Sequence, residues 1–228
     1  MDQEQLPDLV LGGMNSAGGG RYNQVRLEGM STIHGPLQAR MLKADGMMTL
    51  DADVLAAEMD ADGKLTVKGN LEGGRLTLDG MLSVHGDLRC GTLQLNGMSD
   101  VKGGCDVEEL RGEGGFTVGG LLSAGMVDFM LQGQGKAERI GARSLVIRRS
   151  PRAARSKLLS GLFPKFKAGL KAELIEGESV QLEYTEAGVV TGGTVSIGPG
   201  CDIGLVEYRD TVHIHPEARV GKVERIAD

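Results

Sequence analysis

The sequence predicts an all-β protein wound as a parallel β-helix, on two observations: a repeat of seventeen residues and an alternation of polar and apolar side chains within it. A period of two is typical of strands and not of helices. Because the repeat returns without drifting, equivalent residues must stack on one another in successive coils. Six glycines mark the repeat, each preceded by a short polar residue or a glutamate: Gly29, Gly46, Gly63, Gly80, Gly97 and Gly114.

Each coil is expected to bend at these glycines, which we therefore name the corner glycines. Asp-Gly and Asn-Gly pairs favour a turn, because glycine adopts the positive φ that a residue with a Cβ resists. The aliphatic residue four positions later, such as Val67 or Val84, is predicted to point inward. A second bend is expected where small residues recur two positions after that, at Gly35, Ala52, Gly69, Gly86, Gly103 and Gly120.

The composition fits a narrow, aliphatic interior. Aromatic residues make up 3% of the 228 residues, there is no Trp, and glycine occurs 37 times.

The three cysteines have no metal-ligand spacing and are expected to be free, buried thiols in a reducing compartment. Neither a spanning segment nor the basic start of a signal peptide is found, so a cytoplasmic location is predicted. A net charge of -6 argues against nucleic acid as a partner.

Four segments are predicted along the chain. Residues 1–22 form a flexible leader, in which the apolar cluster ending at Leu11 either adds a strand to the first coil, the interpretation we favour, or touches a membrane. Residues 23–147 form a β-helix of about seven coils, the last lengthened by one position between Val127 and Leu145. Residues 148–171 form a basic insertion. Residues 172–228 form further coils, since the segments from Val195 and Val212 align at an offset of seventeen.

The insertion is basic and apolar, without any acidic residue from Arg148 to Lys171. A short amphipathic helix fits this pattern, although Gly161 and Pro164 would break or kink it. Three interpretations remain open: packing on the acidic rod, contact with an anionic membrane, or contact with nucleic acid, which we expect least. The candidate membrane or partner residues are Arg148, Arg149, Arg152, Arg155, Lys157, Phe163, Lys165, Phe166 and Lys167.

Some outward positions also form columns. Methionines follow four of the corner glycines, with Lys64 breaking the column, and either fill the corner or form a soft exposed stripe for lateral partners. His34 and His85 share one position but lie three coils apart, too far to share a metal. His213 and His215 are two ligands without a third, so no metal or other cofactor is predicted. The methionines that follow the corner glycines are Met30, Met47, Met81 and Met98.

The repeat resembles that of the bactofilins, a family of bacterial polymer-forming cytoskeletal proteins. The resemblance covers roughly residues 20–147 and depends on the motif from Tyr22 to Gly35 and on its reiteration from Asp62 to Leu71 and from Asp79 to Leu88. It implies a right-handed β-helix that assembles end to end into filaments without nucleotide, often at the cytoplasmic face of the membrane. The basic insertion and the C-terminal coils depart from the usual single rod with disordered tails.

These features favour a non-enzymatic scaffold that binds copies of itself, a paralogous filament protein, and in one interpretation an anionic membrane surface. An unpaired coil at each end of a β-helix must be capped or paired with another chain. A hexapeptide-repeat acyltransferase is the alternative, although seventeen is not three times six and no histidine lies within a run of hexads. The polymer-contact candidates are Val25, Leu27, Ile33, Val220, Val223 and Ile226.

Overall fold

The computed structural model describes residues 6–150 and 168–227 as one β-solenoid, consistent with a right-handed parallel β-helix. Ten strands pair in parallel in their order along the chain, and the described residues contain no helix. The strands are β1 (Leu9–Leu11), β2 (Met14–Leu50), β3 (Val54–Val67), β4 (Leu71–Val84), β5 (Leu88–Val101), β6 (Cys105–Arg149), β7 (Gly169–Leu182), β8 (Thr185–Ile197), β9 (Asp202–Ile214) and β10 (Arg219–Arg225).

The register of the central strands is the seventeen-residue repeat. Strand β3 pairs with β4 from Val54 with Leu71 to Val67 with Val84, and β4 with β5 and β5 with β6 continue at the same interval. Val67 and Val84 are both 0% exposed, as predicted for inward positions. The interior is a continuous column of aliphatic side chains along the rod.

The corner glycines are required by the stacking of the coils. Gly80 has a φ of 134°, and a Cβ built on it would lie 2.1 Å from the carbonyl oxygen of Gly63 in the preceding coil. An L side chain would therefore be strained and would also collide with the backbone of the neighbouring coil. Gly13, which the repeat pattern did not include, belongs to the same column, with its carbonyl oxygen 2.6 Å from the Cβ position of Gly29.

The second bend is held by side-chain oxygens that bond to the next coil. The Oδ1 of Asp53 accepts from the Asn70 amide at 2.7 Å, that of Asn70 from Asp87 at 2.9 Å, and that of Asp87 from Gly104 at 2.9 Å. The same Asn70 oxygen lies 2.3 Å from where a Cβ on Gly86 would be. The predicted small residues at this bend therefore make room for a ladder of side-chain caps, and not only for close backbone approach.

Residues 9–22, which we expected to belong to a flexible leader, contain strand structure. Strand β1 pairs with β2, Leu9 opposite Val25 and Leu11 opposite Leu27, and β2 begins at Met14. Leu9 and Leu11 pack on the buried side chains below them, so the apolar cluster adds a strand to the first coil, which is the interpretation that we favoured over membrane contact.

The predicted lengthening of the coil after Val127 is present. Just after the last inward residue of a regular coil, the amide bonds to the carbonyl eighteen positions earlier, as that of Lys68 does to Leu50. The Ser150 amide bonds instead to the Leu131 carbonyl, nineteen positions earlier. The interior near this coil is also not the purely aliphatic one that we had predicted, but contains two buried aromatic rings. Phe116 and Phe129 fill it with an edge-to-face contact at 5.3 Å between ring centroids.

The C-terminal coils stack directly on the first rod, a point that the sequence left open. Strand β7 pairs with β6, Leu145 opposite Val180 and Ile147 opposite Leu182. The interval between these partners is one coil of seventeen residues plus eighteen inserted ones. Most of the basic insertion, residues 151–167, lies outside the described residues, so its predicted helix stays a prediction.

Beyond the insertion the coils vary in length. Strands β7 and β8 pair at an interval of fifteen, Leu170 opposite Thr185, and a bulge separates Gly192 from Thr194 where β8 meets β9. The tight corner includes Tyr184, whose φ of 46° is positive. Val195 then pairs with Val212 at the predicted offset of seventeen.

Candidate functional site at the rod ends

The two ends of the solenoid are open strand edges. Strand β1 pairs only with β2, and β10 only with β9, among the strands of the described residues. One side of each terminal strand therefore presents backbone donors and acceptors that no strand in the described parts of the chain satisfies. The interior side chains of the terminal coils have a neighbour on one side only.

At the C-terminal end, inward positions become exposed. Val206 is 0% exposed in β9, whereas Val223, which pairs with it from β10, is 40% exposed. Val220 pairs with the buried Ile203 and is itself only partly buried. Of the three candidates at this end, Val220 and Val223 therefore lie on the open end, and the amide of Ile226 bonds to the Tyr208 carbonyl beside them.

At the N-terminal end, the predicted contact residues lie one coil too deep. Val25, Leu27 and Ile33 are 1%, 0% and 0% exposed, because strand β1 and the chain after it cover them. The residues that occupy the end are Leu9 and Leu11, both partly buried. The seventeen-residue count missed this coil because it is offset from the next by only sixteen.

Charged groups on the terminal coils are tied to neighbours. Arg219 pairs with Asp202 at 2.7 Å, and the Nε of Arg225 donates to the Arg209 carbonyl at 2.9 Å. At the other end Asp8 accepts from the Gln24 amide at 3.1 Å. Each of these bonds joins a terminal coil to the coil next to it in the rod.

The histidines at the C-terminal end do not form a metal site. The Nδ1 of His215 accepts the amide proton of Glu217 at 3.1 Å. No group of three histidine, cysteine, aspartate or glutamate side chains in residues 6–150 and 168–227 is arranged to hold a metal ion.

The cysteines are buried and free, as predicted. Burial raises the pKa of the Cys90 and Cys105 thiols to about 12, and it also raises the pKa of Cys201. These thiols are therefore protonated at neutral pH, and a protonated thiol is a poor nucleophile.

An open groove of about 1200 Å³ lies along one side of the described rod. Its floor consists of small residues from successive coils, such as Ala56, Gly73 and Cys90, and Arg89 and Glu72 form an ion pair at 3.4 Å along it. Among the described residues that line it, Tyr22 at one end is the only aromatic one.

Two of the basic candidates lie against the rod. Arg148 forms an ion pair with Asp128, and the guanidinium of Arg149 lies 4.4 Å from the centre of the Tyr184 ring. The other candidates, Arg152, Arg155, Lys157, Phe163, Lys165, Phe166 and Lys167, lie outside the described residues. The described part of the chain has no helix long and apolar enough to cross a membrane.

Comparison with known proteins gives two partial relatives, both from Bacillus subtilis (strain 168). The chain is 34% identical to the uncharacterized protein YhbF over 102 residues, which is 44% of this chain and 40% of YhbF. It is 38% identical to the uncharacterized protein YhbE over 104 residues, 45% of this chain and 42% of YhbE. The matches thus span about two fifths of each relative. No family model and no solved structure matches the chain.

Proposed function

We propose that this protein is a non-enzymatic structural protein that assembles end to end, through its terminal coils, into filaments that need no nucleotide. The observation that carries the proposal is the state of the two ends. Each combines an open strand edge with apolar interior positions that are left partly exposed, such as Leu11 and Val223.

Joining two ends would continue the pairing that already holds the rod together. Inside the chain, every coil satisfies the backbone of the next and covers its inward side chains, as β9 and β10 do between Val206 and Val223. A second copy docked on an end would supply the missing strand and bury the exposed apolar surface, at roughly 25 cal/mol per Å². Repetition of such a contact at both ends gives a filament.

The fold agrees with the resemblance to the bactofilins, whose implied β-helix is the solenoid found here. Membership of that family is part of this proposal, since YhbE and YhbF are themselves uncharacterized and match less than half of the chain. Contact with an anionic membrane through the insertion remains a separate prediction. The cytoplasmic location is likewise a proposal.

Sedimentation velocity over a range of protein concentrations, combined with negative-stain microscopy, tests the proposal. We expect the wild type to form filaments and Val223→Lys to shorten or abolish them, because a charge would be buried at the junction. Leu121→Lys is the matched control, since Leu121 is 44% exposed but lies on the side of the rod, in a central coil. A wild type that stays monomeric at every concentration would disprove end-to-end assembly.

A second comparison separates the two ends. If like ends meet, Val223→Lys blocks one kind of junction only and leaves dimers joined through the N-terminal ends. If head meets tail, the same variant blocks every junction and leaves monomers. Leu11→Lys tests the opposite end in the same way, and normal filaments from both variants would contradict the assignment of the contacts.

A further inference from the structure

A stripe of exposed methionines follows the corner glycines along one edge of the rod. Lys64 occupies the equivalent position in the coil between the third and fourth of them. The methionine stripe consists of Met14 at 78%, Met30 at 43%, Met47 at 54%, Met81 at 53% and Met98 at 45% exposed. These exposed fractions are high for large apolar side chains, so the stripe is a surface that a partner segment could cover.

Acidic side chains border the stripe, because the residue before most corner glycines is aspartate or glutamate. Glu28 and Asp45 form ion pairs with basic residues of their own coils. Asp62, Asp79 and Glu113, nearer the insertion, have no ion-pair partner within 4 Å among the described residues. The stripe is therefore apolar except at Lys64, and toward the insertion it is bordered by carboxylates that have no ion-pair partner among the described residues.

The insertion leaves and re-enters the rod on this same edge. The amide of Ser150 bonds to the Leu131 carbonyl, which places Ser150 over Gln132, and Gly169 pairs with Gln134. The chain between Ser150 and Gly169 thus replaces a single residue of the coil below.

The insertion leaves from a corner that is stacked, coil by coil, above Met98. Gly115 pairs with Met98, and a Cβ on Gly115 would lie 2.9 Å from the Met98 sulfur and 2.7 Å from the Gln134 carbonyl oxygen. Met98 and the base of the insertion are therefore separated by about three coil rises, or roughly 14 Å.

We propose that the near half of the methionine stripe, Met81 and Met98 with Asp79 and Glu113 beside them, is the docking surface for the chain's own segment 151–167. The chemistry of the two is complementary. The segment carries five basic residues and no acidic one, so the rest of the chain has a net charge of -11. Between its basic residues lie three leucines and two phenylalanines, which suit a soft methionine surface.

Charge argues against a second copy of the stripe as the occupant, because two rods meeting along this edge would bring unpaired carboxylates together.

The length of the segment limits docking to the near half of the stripe. A segment of seventeen residues with adjacent ends extends at most about 28 Å. Met81 lies about 19 Å from the base of the insertion and is within reach, whereas Met30 lies about 34 Å away and is not.

Limited proteolysis of the full chain with trypsin tests the proposal, since Arg152, Arg155, Lys157, Lys165 and Lys167 are cleavage sites within the segment. Cleavage follows the fraction of molecules in which the segment is undocked. We expect the double variant Met81→Gln, Met98→Gln to be cut at least about fivefold faster than the wild type, a change of about 1 kcal/mol. The matched control, Met14→Gln with Met30→Gln, should be cut at the wild-type rate. Equal rates for all three proteins would overturn the proposal.

Disulfide trapping identifies the occupant. Met98→Cys combined with Leu162→Cys should form an intrachain disulfide on mild oxidation, and Met30→Cys with Leu162→Cys should not. The native thiols are buried and give little background. A disulfide formed only between chains would instead assign the stripe to another molecule's segment. Cleavage that phosphatidylserine vesicles suppress, but that the methionine variants leave unchanged, would assign the segment to a membrane; either result overturns docking in the same chain.

Discussion

The central coils and the terminal coils follow the same winding rule but differ in what their side chains do. In the centre an inward residue such as Val84 has a coil on both sides and is 0% exposed. At the C-terminal end the inward Val223 has a coil on one side only and is 40% exposed. The same kind of position is therefore part of the core in one region and part of a candidate interface in the other. The repeat explains stability, and its interruption at the ends explains where function should be sought.

The sharpest test of this contrast places a charge at both positions. Val84→Asp should prevent folding or cost more than about 4 kcal/mol of unfolding free energy, because an unpaired carboxylate would be buried in an aliphatic core. Val223→Asp should leave the melting transition within a few degrees of the wild type, since the side chain reaches water. Thermal unfolding followed by circular dichroism measures both. An unchanged transition for Val84→Asp would contradict its inward position.

The corner glycines predict the next largest effect. Gly80→Ala should lower the unfolding free energy by about 1–3 kcal/mol, because its φ of 134° is unfavourable for alanine and the new Cβ would meet the Gly63 carbonyl. Gly141→Ala is the control, since Gly141 has space around it and no positive φ. Urea unfolding compares the two variants. Equal losses of unfolding free energy in the two variants would mean that a side chain at the corner glycine causes no strain.

The capping ladder at the second bend predicts a smaller effect. Asn70→Ala removes the oxygen that accepts the Asp87 amide proton and should cost about 1 kcal/mol. Asn70→Asp keeps an acceptor of the same shape but stands between Asp53 and Asp87, so it should recover part of this free energy at high salt, where the repulsion between the three carboxylates is screened. Urea unfolding of both variants at high salt checks the prediction, and a loss of the same size in Asn70→Asp would refute the capping role.

Sequence predicted the parts of the fold that depend on strict repetition and missed those that depend on a change of interval. The pairing of Val67 with Val84 follows directly from the seventeen-residue count. The step of sixteen from Leu9 to Val25 and the step of fifteen from Leu170 to Thr185 break that count, so the N-terminal end was placed one coil too deep. Pairing partners across such breaks depend on three-dimensional stacking, which a fixed period cannot supply.

The candidate surfaces were likewise only partly predictable from the sequence. Val223 was named from the sequence as a candidate contact, and it is 40% exposed on the last described strand. The relation between the insertion and the methionine stripe was not predictable. It depends on Ser150 and Gly169 flanking one position of the coil below, and the lengthened coil before the insertion hides that register from a count of seventeen.

The smallest predicted effect concerns a surface pair near the start of the regular coils. The carboxylate of Asp51 accepts the Gly35 amide proton at 3.0 Å and lies 2.7 Å from the Nδ1 of His34. The backbone hydrogen bond, followed by the bond to His34, lowers the pKa of Asp51 below its usual value of 3.8. A carboxyl group whose pKa is lower in the folded state stabilises the fold above its unfolded pKa, and this contribution is lost as the pH falls through the folded value.

Asp51→Asn should therefore be slightly less stable than the wild type at pH 6, and the difference in unfolding free energy should shrink below pH 3.8. Urea unfolding of the two proteins at both pH values measures this change. A difference that stays constant with pH would show that the ionised carboxylate has no part in holding this bend.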